Sequence, residues 1–218
     1  MRLFCILILL LPACAPATNS TTITPAQHRL RATAMISVQD IPGALKEMQQ
    51  AITGNPNVDD ALLYGDLLES TGKYKEARRV YKKAFTYPSD NSQKQTLSYH
   101  LALLEAVNFD NLKTAENLAQ TLPTADSRLF DLKSVILLKQ GQFKPALNES
   151  QRALSQAKNN EEKGWANFHM AQIYFKLRLE RETFRALFEA VNYGRGHSLV
   201  ARITNYWEDR RNAPFPKN

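Results

Sequence analysis

Glycine is scarce: 8 residues in 218, where an average globular chain of that length carries about 15. That argues against a fold built on glycine-rich phosphate loops and against a turn-rich β-sandwich. Two cysteines, Cys5 and Cys14, cannot build a disulfide framework or a common zinc-finger spacing. The apolar run Leu3 to Leu11 has nine residues, far short of the ~20 that cross a bilayer as a helix. Chemistry-bearing patterns are missing as well. No two of His28, His100, His169 and His197 stand four apart with a Glu between, so there is no H-E-x-x-H metal site. No G-x-S-x-G elbow occurs. Gly72-Lys73 lacks the phosphate-loop glycine, since Leu67 holds that place and Tyr74 replaces Ser or Thr. The reading is of a chain that is not an enzyme, with no cofactor, no metal and no small-molecule substrate.

What is present begins with an address. Met1-Arg2 is a short positive start, and Leu3 to Leu11 fits the ~7–15-residue core of a secretory signal. Leu11-Pro12-Ala13-Cys14 resembles a bacterial lipobox, with Pro12 where Ala or Ser is commoner. The resemblance implies cleavage before Cys14 and lipidation of its sulfur and new N-terminus. Cys5 falls in the discarded leader, so Cys14 has no disulfide partner. Ala15 at the next position resembles outer-membrane sorting in Gram-negative bacteria. Ala15 to Thr24 is small, hydroxylated and uncharged, which reads as a flexible tether. The expected divisions are a signal peptide at 1–13, lipidated Cys and tether at 14–24, repeats at 25–193, and a capping helix with tail at 194–218.

From Pro25 the apolar spacing is helical throughout, and no stretch alternates for long enough to argue a strand. Thr24-Pro25 reads as a helix start. A second-helix core recurs at offsets 0, +4, +7: Ala44-Met48-Ala51, Ala77-Tyr81-Ala84, Ala115-Ala119-Leu122, Ala146-Ser150-Ala153 and Thr183-Leu187-Ala190. The steps between first members are 33, 38, 31 and 37 residues. Gly72-Lys73-Tyr74 and Gly141-Gln142-Phe143 mark two interhelical turns. The unit from Asn57 to Ser89, with Tyr64-Gly65, Leu68, Gly72, Ala77, Tyr81 and Ala84, resembles the tetratricopeptide repeat (TPR), whose period is about 34 residues. The unit at 91–123 matches least well. The resemblance implies an all-α TPR-like solenoid of about five helical hairpins. Ser198 to Arg211 then reads as a capping helix, with Leu199, Ile203, Tyr206 and Trp207 on one stripe and Arg202, Glu208, Asp209, Arg210 and Arg211 outward.

In the TPR fold the first helix of each unit lines a concave groove. Carried onto this sequence, that places Leu62, Asp66, Glu69, Tyr99, Leu103, Arg128, Asp131, Val135, Trp165, Phe168, Gln172 and Phe175 on the inner face. Trp165, Phe168, Phe175, Tyr99 and Arg128 are the expected partner-binding residues, because grooved aromatics suit capture of a peptide. The competing reading is that the aromatics pack against the capping helix. The net charge is +7. Its excess permits weak attraction to acidic partners, peptidoglycan or lipid headgroups, or is simply a solvated helix face. Nucleic acid is excluded by compartment. The chain resembles the TPR lipoproteins of tight-adherence (Flp) and type IV pilus assembly. The resemblance implies a lipid-anchored periplasmic scaffold at the outer membrane that binds another envelope protein. The alternative is an accessory factor for peptidoglycan enzymes or a general envelope chaperone.

Overall fold

Polar capping residues recur along the chain and start the first helix of each hairpin. The computed structural model describes residues 23–53, 56–87, 89–194 and 197–211, with only the backbone of 210 and 211. The expected leader, Cys14 and most of the tether lie outside the described residues, as do Pro88, Gly196 and the tail at 212–218. Side chains of Thr24, Asn57, Asp90, Asp126 and Asn159 each accept a backbone N–H from the first turn that follows. They open α1 (Pro25–Ser37), α3 (Val58–Ser70), α5 (Asn91–Asn108), α7 (Ser127–Lys139) and α9 (Asn160–Lys176). Each pairs with a second helix: α2 (Ile41–Ala51), α4 (Tyr74–Ala84), α6 (Leu112–Ala119), α8 (Phe143–Gln156) and α10 (Glu180–Tyr193). A last helix, α11, spans His197–Arg211. No strand occurs among the described residues. The fold is an all-α TPR-like solenoid of five hairpins, as the repeat pattern implied.

The recurring triplets are the seams of that stack. All fifteen of their residues are buried. The first position of each triplet is Ala or Thr and the third is Ala in four of the five; small side chains suit a close crossing of two helix backbones, where a bulkier residue would overpack the seam. The third unit matched its pattern least because its helices are unequal: α5 has 18 residues and α6 only 8.

The turn between the two helices of a hairpin is also a repeat. Gln39, Gly72, Asp110, Gly141 and Arg178 stand at the same place, five residues before each triplet, and all have positive φ, from 53° to 77°. Residues Asp40, Lys73, Gln142 and Leu179, one step on, each donate a backbone hydrogen bond to the carbonyl five residues back, at 2.8–3.0 Å. One left-handed residue thus reverses the chain in every unit, and only two of the five are glycine.

Candidate functional site

The inner face of the solenoid is where a TPR-like protein would be expected to hold a partner. In this chain it is already occupied, by α11. Carboxylates on α3 receive the start of that helix. The His197 N–H donates to Asp66 Oδ2 at 2.9 Å, and the Ser198 N–H donates to Asp66 Oδ1 at 3.0 Å. A carboxylate 131 residues away in sequence thus caps two free donors at the positive end of a helix dipole. One turn later Arg202 donates to Glu69 at 2.7 Å and to Asn108 at 2.8 Å, and its guanidinium lies 5.5 Å from the Tyr74 ring centroid. Glu69 is buried and also accepts from the Tyr81 hydroxyl at 2.8 Å. Burial and then the Glu69 charge push the Tyr81 hydroxyl well above its ordinary pKa.

The apolar stripe of α11 completes the seat. Leu199 and Ile203 are fully buried in one cluster with Leu103, Val135, Trp165 and Phe168. Tyr206 meets the Phe168 ring edge-on at 5.8 Å and the Phe175 ring at 6.1 Å, and Trp207 meets Phe184 at 5.1 Å. These separations are those of favourable edge-to-face pairs. The most extensive packing of α11 is with α3, not with the last hairpin. The expected capping helix does contact α9 and α10, and it reaches on across the inner face to α3. Arg202 is corrected: the expectation turned it outward, whereas it is half-buried and paired with Glu69. An amphipathic pattern says that a helix has one apolar side but not which surface receives it.

The expected partner-binding residues divide accordingly. Trp165 is 4% exposed, Phe168 3% and Tyr99 4%, all inside the core rather than on an open groove. Their place is explained by α11 above them and by a polar network beneath. The Tyr99 hydroxyl donates to Asp131 Oδ2 at 2.7 Å, and His169 Nδ1 lies 2.8 and 2.9 Å from the two Asp131 oxygens. Trp165 stacks on the His169 ring at 5.5 Å. This Tyr–Asp–His set joins α5, α7 and α9 and is buried throughout. Burial, then the Asp131 charge and hydrogen bond, push Tyr99 well above its ordinary pKa. Arg128 is committed too. It makes two hydrogen bonds to Asp126, at 2.9 and 2.7 Å, and one to Thr96 at 3.0 Å. Phe175 alone of the five remains substantially exposed, at 43%. With Phe184, Leu187, Tyr206 and Trp207 it lines a cavity of about 240 Å³. Asp66 and Glu69, named from the repeat pattern as inner-face residues, are the ones that grip α11. Sequence reasoning did not single out His169, whose signal was only an apolar-flanked histidine opposite an inward aspartate.

Among the described residues no group of three or more His, Cys, Asp or Glu side chains could hold a metal ion. No described helix is long and apolar enough to cross a membrane. No protein-family model and no curated protein matches the chain. Solved structures do match its shape. Over 78% of its length the chain is similar to a chain of the APC/C hetero-tetramer Cut9–Hcn1, with TM-score 0.61 and 16% identity, and it spans only 33% of that chain. Over the same share it is similar to MamA (41-end) from Desulfovibrio magneticus RS-1, with TM-score 0.52 and 14% identity, covering 94% of that chain. A further MamA crystal structure matches over 88% of this chain and 98% of its own, with TM-score 0.51 and 14% identity. At such low identity these likenesses establish the fold, and the fold is the TPR-type helical solenoid.

Proposed function

We propose that this chain is a protein-interaction scaffold, tied by an N-terminal lipid to the outer membrane, facing the periplasm and serving the assembly of a pilus or secretion machine. The observation that carries the scaffold reading is the seat of α11. An inner face that caps a helix end, pairs its arginine and buries its apolar stripe is a surface of the kind that holds a helical segment, and with α11 in that seat the outer faces, Phe188 on α10 among them, are left to a separate protein. The Cut9 structure is itself that of a complex with Hcn1, which agrees with a binding role for the architecture. The anchor rests on Leu11-Pro12-Ala13-Cys14 and the tether after it.

Labelling of cells with a palmitate analogue tests the anchor: the wild type takes label and Cys14→Ser does not. Equal label on both refutes lipidation. A photocrosslinking residue in place of the exposed Phe188 on α10 tests the scaffold. Discrete adducts with pilus or secretin components support it. An absence of adducts there and at Phe175 removes the machine assignment.

A further inference from the structure

The net charge of +7 is not spread evenly over the stack. Helix α4 carries Lys75, Arg78, Arg79, Lys82 and Lys83 against Glu76 alone. The other second helices are close to neutral: one cation and one carboxylate on each of α2 and α6, with α8 and α10 within a single charge of balance. The helical repeat sorts the cations of α4. Ala77, Tyr81 and Ala84 face the core, so Lys75, Arg79, Lys82 and Lys83 fall on the opposite face and are exposed.

Arg78 and Lys82 turn back toward the buried Glu105, at 2.6 and 3.4 Å, and Arg78 also covers the Phe109 ring. Lys75, Arg79 and Lys83 have no such partner: among the described residues no carboxylate stands within 4.0 Å of them. Like charges gathered on one exposed face cost stability through repulsion unless an anion lies opposite. Beside them α2, α3 and α4 leave a cleft of about 260 Å³, with Ile52, Leu68, Val80 and Tyr87 on its walls and two cations, Arg79 and Lys83, against one carboxylate, Glu76, in its lining. A cationic rim over an apolar floor is the chemistry of a lipid headgroup site.

The start of α1 is tied to α2 and α3. His28 contacts Glu47 of α2 at 2.6 Å, and Arg29 contacts Asp60 of α3 at 3.0 Å; α3 in turn packs on α4. The segment from Cys14 to Thr24 reaches at most roughly 35 Å when extended. A lipid on Cys14 would keep the start of α1 within that distance of the bilayer.

We infer that the outer face of α4 docks on an anionic lipid surface, with Lys75, Arg79 and Lys83 contacting headgroup phosphates. This rests on the lipid-anchored reading above. The anchor supplies residence on the membrane, and the α4 face sets the orientation of the solenoid upon it.

The test uses the full chain carrying Cys14→Ser, so that no acyl chain contributes. Its co-sedimentation is compared on vesicles of phosphatidylethanolamine with phosphatidylglycerol and on vesicles of phosphatidylcholine. The leader, which carries Arg2, adds its own preference for the anionic vesicles, so the share of α4 is read from variants that all keep the same leader. Binding should favour phosphatidylglycerol and fall as salt is raised. Lys75→Gln, Arg79→Gln and Lys83→Gln together should weaken it on the order of a hundredfold, from roughly fivefold per cation. The control triple Lys113→Gln, Lys144→Gln and Arg185→Gln, exposed on α6, α8 and α10, should weaken it far less. Thermal melts confirm that both triples fold, since every site is exposed. Equal loss from the two triples, or no preference for phosphatidylglycerol, overturns the inference. Polyglutamate that competes as well as lipid, charge for charge, overturns it in favour of an acidic polymer. Palmitate labelling of the wild type separates the two readings. Without label but with phosphatidylglycerol binding, only the anchor falls. With label but without that preference, only the α4 face falls.

Discussion

The five left-handed turn residues allow backbone strain to be measured apart from packing. An L-residue in the left-handed region costs roughly 1–2 kcal/mol, because its Cβ crowds the backbone. Glycine escapes that cost but gives up about 0.4–1 kcal/mol of unfolded-state entropy. A Cβ placed on Gly72 or Gly141 would meet no atom within 4 Å. Any loss in Gly72→Ala or Gly141→Ala is then local strain alone, about 1 kcal/mol after the entropic offset. The reverse substitutions are available in the same molecule. Gln39 and Arg178 have φ of 62° and 60°, and both are exposed. Gln39→Gly and Arg178→Gly should stabilise by about 0.5–1 kcal/mol. For a chain of this size each kcal/mol moves the melting point by roughly 2–4 °C. Gly141→Ala should therefore melt a few degrees lower and Arg178→Gly a degree or more higher. Calorimetry on the four variants reads both signs. A neutral Gly141→Ala together with a destabilised Arg178→Gly would mean that these turns are not held in the left-handed region, and the hairpin register built on them would be wrong.

Two further perturbations probe the inner face. Burial pushes the Asp126 carboxyl up, but the Arg128 hydrogen bonds and charge overcome it and hold the group below the usual carboxylate range. A depressed folded pKa gives stability that is present above the unfolded value near 4 and lost as pH falls through the folded value. Asp126→Asn keeps a capping side chain for α7 and removes the charge. It should lower stability by roughly 1–2 kcal/mol at pH 7, with the gap to wild type closing below about pH 4 in melts taken from pH 7 to pH 3. Phe168→Ala should cost about 3–5 kcal/mol as a buried large-to-small change, whereas Phe175→Ala, at an exposed site, should cost far less. Similar losses in denaturant titrations would contradict the burial difference between them.

The repeats were legible because they rest on local necessity. Every hairpin needs small or apolar side chains at the same three positions of its second helix, so Ala77-Tyr81-Ala84 and its four counterparts show in the sequence as spacing. The turns were legible in two units and hidden in three. Glycine announces positive φ and Asp110 is of a type that tolerates it, but Gln39 and Arg178 adopt it without any compositional sign. There the closing hydrogen bonds and the packing of the flanking helices override the residue's own preference. The inner face was legible as a list of residues and not as an open or closed surface. Asp66, Glu69, Trp165 and Phe168 were assignable to it from the repeat. Their occupant depends on contacts between residues such as Glu69 and Arg202, 133 positions apart, which no local pattern records.

The occupied inner face bears on where a partner can bind. A helix tethered to its own groove competes at an effective concentration in the millimolar range when the linker is short. Here the connection from Tyr193 to His197 is only Gly194-Arg195-Gly196. A partner helix aimed at the same seat must replace the Asp66 cap, the Glu69–Arg202 pair and the burial of Leu199 and Ile203, against that concentration. Losing Arg202 alone would leave Glu69 buried with only the Tyr81 hydroxyl, a costly state for a carboxylate. The faces that α11 leaves open carry no such cost. They include the outer side of α4 and the exposed Phe188 on α10. A solenoid of this build offers its surroundings its outside and spends its inner face on holding its own last helix.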